Sequence, residues 1–499
     1  MTAVTLLPTT RAIVDLNAVA SNVRTLKGLC SRKTALMAVV KADGYGHGAV
    51  PVAATALENG ASFLAVARIS EAVQLRDAGI GAPLLLFGEV LPAQVPWLTA
   101  HGVRATLSSM EDARIISRAV RTMGDSVVLK VHIKVDTGMG RLGLVCGGVP
   151  PLPPEGPRHG NAFKKDREEN GWAMEKSLAD VVDAVAAITA LPGIEVEGIY
   201  THFAGADLPD KAHARGQTRL FGALIQILGK EGIRPEICHA ANSAALMDMP
   251  ESHFDMVRPG IAMYGIWPSD YIKKKYIEEK SIEVKSMEHK IIEDKAMEHK
   301  AIEGKAMELK PAISVVSNII HIKSVPAGFR VSYGGTHITS TPTVIATVPM
   351  GYADGYSRLL SSRGEMLVRG LRCPVIGRVC MDFTMIDVGS IPDVRPGEPV
   401  VIMGCQGGER ITPEEIASHA HTIGYEVVAS LTGRVPRHWI PSNSPTEKDA
   451  RPLDSIYLPL QKKMPSPWIP STSPTEKGAK PPDSIYLPLQ KKVPSPWIP

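Results

Sequence analysis

A chain of 499 residues holds two or three domains at about 100 to 200 residues each, which excludes a single small module. Its 55 Lys and Arg against 51 Asp and Glu give a net charge of +4, too dilute for the one-signed field that selects nucleic acid or a membrane surface. A small-molecule ligand is expected, with no nucleic-acid and no membrane partner. Cys30, Cys146, Cys238, Cys373, Cys380 and Cys405 are scattered without paired spacing. No basic-then-apolar leader and no membrane-length apolar run is present, which reads as a reducing, cytoplasmic setting.

From residue 35 to residue 258, short Val/Ile/Leu-rich runs alternate with helix-length amphipathic ones. Eight strands are expected: TALMAVV (34–40), FLAVA (63–67), PLLLF (83–87), VRATL (103–107), VVLKVHIKV (127–135), VEGIYTHF (196–203), PEICHA (235–240) and FDMVR (254–258). Strands apolar on both faces, each followed by a helix, imply a parallel sheet covered by helices. Eight repeats point to an α/β fold with a closed, TIM-like (β/α)8 barrel over residues 1–265, although a doubly wound open sheet reads almost the same. A Gly-, Pro- and charge-rich stretch at about 146–176 interrupts it as a long surface loop.

Beyond Tyr264, residues 276–310 repeat a five-residue unit seven times, from YIEEK to AMELK. Such a period advances the apolar position by about 140° around a helix and alternates it across a strand, so it collects no packable face. We read 266–310 as a low-complexity insertion, weakly helical or disordered. ISVVSNIIHI, TVIATV, EMLVRG, CPVIG, FTMIDV and EPVVIM then form a mostly antiparallel β domain over 311–440, with one helix near 412–420. A strand near 11–15 is a candidate to join it. The Pro-rich tail, 441–499, is a tandem repeat of period 29 and reads as an extended appendage.

Polar residues gather at the carboxyl ends of the barrel strands, where this architecture places its active sites. They are Lys41, Lys134 with Arg141 downstream, His202, His239 with Asn242 and Ser243, and Arg258. Lys41 ends an apolar run and opens KADGYGHG. Desolvation there lowers an ammonium pKa and makes a nucleophile able to form a Schiff base, the ordinary alternative being a solvated lysine at a strand end. The glycines at 44, 46 and 48 lack the dinucleotide-binding spacing, which disfavours a nicotinamide enzyme. His419, His421, His289 and His299 lack a zinc-like set of partners, so no metal is expected.

VVKADGYGHG resembles the pyridoxal phosphate (PLP) signature of the alanine racemase family. HIKVDTGMGRLG (132–143), EGIYTHFAGAD (197–207), HAANSAA (239–245), VRPGIAMYG (257–265), VSYGGT (331–336), GYADGY (351–356), GRVCMD (377–382) and GYEV (424–427) resemble that family's other blocks, in its order. The three compositionally odd stretches depart from the pattern and leave every block intact. The resemblance implies PLP-dependent interconversion of L- and D-alanine, which in bacteria feeds peptidoglycan synthesis, by a homodimer with shared active sites. It makes Lys41 the PLP lysine and Tyr333 the second acid/base. Removing a proton from one face of Cα and delivering one to the other requires two such groups.

By the same resemblance His202 and Arg258 supply the field that makes Tyr333 a usable base, and Arg258 donates to the PLP ring nitrogen. Asn242, Ser243, the amides of Gly260 and Ile261, and the hydroxyls of Tyr45 and Tyr425 match the cofactor cradle. Arg141 and the Met381 amide would meet the substrate carboxylate, and Tyr352 would narrow the entrance. Lys134 matches a lysine carbamylated in many family members, carbamylated or unmodified here. Two rivals remain on the sequence alone: a PLP-dependent racemase or decarboxylase of another amino acid, and a non-catalytic PLP-binding protein built on the barrel.

Overall fold

The computed structural model describes residues 9–147, 177–277 and 307–441. The expectations for the 146–176 loop, the pentad segment with His289 and His299, and the Pro-rich tail therefore fall almost wholly outside the described residues. Eight strands form the parallel sheet: Ala35–Val39, Phe63–Val66, Leu84–Leu86, Val103–Leu107, Leu129–Asp136, Ile194–Tyr200, Ile237–His239 and Met256–Val257. Pairing of Met256–Val257 with Ala35–Val39, and of Val103–Leu107 with Leu129–Asp136, closes the ring. The closed barrel is thereby the correct member of the two parallel-sheet alternatives.

Side chains alternate across each strand, so the barrel has an outer face against helices and an inner face against itself. Leu36, Ala38, Leu64, Val66, Leu84, Leu86, Val131 and Ile133 are buried under the helices. Inside, Met37, Val39, Phe63, Ala65, Leu85 and Met256 form a separate apolar cluster. The expectation of strands apolar on both faces holds only for that side. On the opposite side the inward positions are Arg104, Thr106, Lys130, His132, Lys134, Tyr200 and His239, while their outward neighbours Ala105, Val131, Ile133 and Cys238 are apolar. Half of the barrel interior is therefore polar.

The second unit is built on a sheet in which Ile313–Asn318 lies between Pro399–Gln406 and Arg11–Asp15, with Arg437–Ile440 beyond. The early strand pairs antiparallel with Ile313–Asn318 and parallel with Arg437–Ile440, Val14 facing Ile313 and Trp439. Asp15 then caps the helix Leu16–Gly28, accepting from Asn17 N at 2.8 Å, the usual role of a carboxylate at that position. A smaller sheet joins His321–Val325, Thr343–Val348 and Thr384–Asp387. The expected helix is Pro413–Ala420. A second helix at Gly424–Ala429 is not among the expected elements, because six residues are too few to show a periodic face.

Candidate active site

Lys41 follows the first barrel strand, and the turn it opens is left-handed, with φ of 52° at both Ala42 and Asp43. Non-glycine residues rarely hold that conformation, and it persists where surrounding structure enforces it. Glu71 supplies part of that enforcement, its carboxylate accepting from Ala42 N at 2.6 Å and Ala67 N at 2.7 Å. The second unit supplies the rest: Arg437 Nε donates to Gly46 O at 2.9 Å and Trp439 Nε1 to His47 O at 2.8 Å. The lysine loop is thus fastened by the strand that also pairs with Arg11–Asp15.

A cavity of about 520 Å³ opens at the carboxyl end of the barrel, lined by Lys41, Tyr45, Lys134, Arg141, His202, Asn242, Ser243, Arg258, Gly260, Ile261 and Tyr425. Burial lowers the Lys41 pKa and the Arg141 charge lowers it further, against an opposing contribution from Glu71. Lys134 is only 4% exposed. Burial, with Arg258 the next cause, brings its pKa down to about 7. Arg141 is placed by a turn wrapped around Asp136, whose carboxylate accepts from the amides of Gly138, Met139, Gly140 and Arg141 at 2.8–3.1 Å. Burial pushes that carboxyl up, and the four amides overcome it and hold it below its ordinary range.

Arg258 is buried, and burial brings even a guanidinium down to about 10. Its Nη2 donates to Thr201 O and Ala240 O, both at 2.8 Å, and lies 3.3 Å from His202 Nδ1. His202 is held well below the ordinary imidazole range by burial first, then by Arg258 and Lys134. A neutral ring accepting at Nδ1 carries its proton on Nε2. Ser243 Oγ accepts from Gly260 N at 2.9 Å and Ala262 N at 3.3 Å, and Ile261, between those two, lines the cavity. Asn242 caps Ser243–Asp248, accepting from Ala245 N at 3.0 Å.

Three expected residues stand elsewhere. Tyr333 is 68% exposed and Met381 52%, and together they line a separate open cavity of about 660 Å³ on the second unit. Tyr352 lines another, of about 410 Å³, its amide donating to Cys380 O at 3.0 Å. A single chain therefore does not bring Tyr333, Met381 and Tyr352 to Lys41. His239, expected on the rim, is fully buried inside the barrel instead, stacked at 4.8 Å on Tyr200. His132 and Glu197, absent from the expected set, are joined to it. The signal that could have found His132 is the polar, period-two face of LKVHIKVD in an otherwise apolar strand.

A lysine and an arginine lowered by burial, set with a serine–amide cradle at the mouth of a closed parallel barrel, define the class as a (β/α)8-barrel enzyme with a lysine-centred site. The model of the alanine racemase N-terminal domain matches residues 14–149 and 174–268, and that of the C-terminal domain residues 312–439. Both matches leave out the core of the 146–176 stretch, the pentads and the tail. The alanine racemase of Desulfosudis oleivorans is 45% identical over 426 residues, covering 85% of this chain and 95% of the relative. Among solved structures, alanine racemase from D-cycloserine-producing Streptomyces lavendulae aligns with a TM-score of 0.70 at 33% identity, over 87% of this chain and 98% of that one. Alanine racemase from Bacillus anthracis with bound L-Ala-P gives 0.69 at 34% identity, over 87% and 96%. The chain belongs to the alanine racemase family.

Proposed function

We propose that this protein is a PLP-dependent alanine racemase that interconverts L- and D-alanine through Lys41 and Tyr333, acts in the cytoplasm as a homodimer, and supplies D-alanine for peptidoglycan. The observation that carries this reading is the convergence of Lys41, Arg141, Arg258 and the Ser243 cradle on one cavity. The residues suit PLP. A Cβ on Gly260 would fall 2.6 Å from Tyr45 Oη, so the glycine keeps clear the space where hydroxyls and amides converge, a donor set of the kind that holds phosphate. Lys41 would hold the aldehyde carbon, Arg258 the ring nitrogen, and Ser243, Tyr45, Tyr425 and the amides of Gly260 and Ile261 the phosphate. Among the described residues no helix is long and apolar enough to cross a membrane.

When bound, PLP withdraws electrons from the Cα–H bond of an amine joined to it. The chain does the rest. Arg141 and the Met381 amide fix the alanine carboxylate and so the direction of the Cα–H bond. Lys41, whose pKa burial and the Arg141 charge lower, takes or returns the proton on one face. Tyr333 does so on the other, beside the Nε2–H of His202. One proton leaves and one arrives, so neither redox partner nor net proton is consumed. Lys134, with a pKa near 7, carries a neutral amine fraction that can add carbon dioxide, and the resulting anion would orient Arg141.

Exposure of Tyr333 and Met381 on a different cavity from Lys41 supports a site completed by a second copy of the chain. Purified protein with PLP is expected to racemise alanine, read with D-amino acid oxidase, faster than serine, lysine or histidine. Absence of Cα-proton exchange from alanine in deuterated water overturns the reading. Tyr333→Phe is expected to suppress proton abstraction from L-alanine by about 10² to 10⁴ and far less from D-alanine. Lys41→Ala and Tyr333→Ala chains refolded together are expected to regain about a quarter of wild-type activity, since half the dimers are mixed and each has one complete site. No recovery in confirmed heterodimers would place both bases in one chain.

A further inference from the structure

Behind Arg258 the polar half of the barrel interior carries a continuous run of hydrogen bonds that the two-base reaction does not use. Arg258 Nη1 lies 2.8 Å from His239 Nδ1, His239 Nε2 lies 2.8 Å from His132 Nδ1, and His132 Nε2 lies 3.2 Å from Glu197 Oε2. Arg104 closes the run with a two-pronged contact to Glu197, Nε to Oε2 at 2.9 Å and Nη2 to Oε1 at 3.0 Å, and Lys130 Nζ adds a third at 3.0 Å. Both histidines are 0% exposed and Glu197 5%.

The donors in this run have only one consistent order. A guanidinium can only donate, so His239 accepts at Nδ1 and carries its proton on Nε2. That proton goes to His132 Nδ1, which leaves the His132 proton on Nε2, pointing at the carboxylate. Protonating His132 fully would make its Nδ1 a donor and require His239 to accept at both nitrogens, an imidazolate. The contacts therefore hold both rings neutral, in one tautomer each. Burial pushes the pKa of both in the same direction, downward.

Local sequence builds the run deliberately. Val131 faces Val196 and His132 faces Gly198, so Glu197 is the extra residue of a bulge, a device that re-aims a side chain. A Cβ on Gly198 would fall on the His132 ring, so only glycine leaves the imidazole its place. Arg258 touches no carboxylate directly among the described contacts. Its counter-charge reaches it through two polarised imidazoles.

We propose that His239, His132 and Glu197 form a fixed-polarity relay that sets how strongly Arg258 donates to the ring nitrogen of PLP, making all three positioning residues for the reaction. This rests on the cofactor reading above. Removing the Glu197 charge leaves the guanidinium less compensated and a stronger donor, which draws the ring nitrogen toward protonation and strengthens the cofactor as an electron sink. The cost is a loss of reaction specificity. In Glu197→Gln holoenzyme, half-transamination per racemisation turnover is expected to rise about two- to thirtyfold, with a changed absorption maximum of the bound cofactor and an unchanged KM for alanine. Glu197→Asp is expected to restore both.

Histidine ¹⁵N resonances of wild-type holoenzyme test the relay without any variant, and so decide the matter if the Gln protein does not fold. His132 and His239 are expected as Nε2–H tautomers that do not titrate between about pH 5 and 8. An Nδ1–H tautomer at either position, titration of either ring, or a folded Gln variant with wild-type spectrum and partition overturns the proposal. Racemisation by the same wild-type sample is measured alongside. Expected tautomers without racemisation would remove the functional reading and leave the hydrogen-bond order standing.

Discussion

The two halves of the barrel interior obey the same backbone geometry and opposite side-chain chemistry. Beneath Lys41, Met37, Phe63, Leu85 and Met256 fill the space with apolar volume, which contributes stability. Beneath Arg258, the same inward positions hold His132, Lys134, Tyr200 and His239. There each polar group needs a partner, because an unpaired one costs about 1 to 3 kcal/mol. One half works through area and the other through a hydrogen-bond order, so substitutions in the two should fail differently.

The largest effect is expected from Lys41→Ala, which should abolish both the visible absorbance of bound PLP and racemisation while leaving the barrel folded. Visible absorbance that borohydride still bleaches, or surviving activity, would show that Lys134, the lysine of the polar half, can substitute, and the division would blur. Next, Leu85→Ala opens a cavity in the apolar half and should cost about 2 to 5 kcal/mol of unfolding free energy, measured by denaturant titration. The kcat of the folded variant should stay unchanged, and a lost kcat would mean that this half also orients reacting groups.

The smallest effect concerns Lys134. Its folded pKa, about 7, lies below the unfolded value, so between the two the unfolded chain binds more protons and stability rises with pH. In carbonate-free buffer, wild type is expected to gain up to about 2.5 kcal/mol more than Lys134→Met between pH 7 and pH 9. Parallel stability curves for the two proteins would place Lys134 in contact with water.

Legibility followed the same division. Strands such as FLAV, buried on both faces, read as continuous apolar runs, so the eightfold alternation and the β-rich second unit were visible in composition and spacing. The bulge at Glu197 was not, since one inserted residue changes no local pattern. The inward row of Lys130, His132 and Lys134 is visible as an alternation, yet only Lys134, at the strand end, was singled out, because the surrounding strand is apolar. Lys41, Lys134, His202 and Arg258 stood out as polar groups at strand ends. Tyr333, Tyr352, Met381 and Tyr425 had no such signal and were found only by family likeness, since an exposed loop tyrosine and a six-residue helix leave no periodicity to read.

The strand Arg11–Asp15 has a consequence for how the chain is made. Its partners, Ile313–Asn318 and Arg437–Ile440, are translated some 300 and 425 residues later, roughly a quarter of a minute to a minute and a half at about 5 to 20 residues per second. Throughout that interval Ala12 and Val14, fully buried in the finished molecule, belong to an unpaired strand, and for its last part that strand lies beside a barrel that has already emerged. Premature termination after the barrel would leave that edge exposed permanently, and such a fragment is expected to aggregate by strand addition. The nascent chain must keep its first strand available for its last.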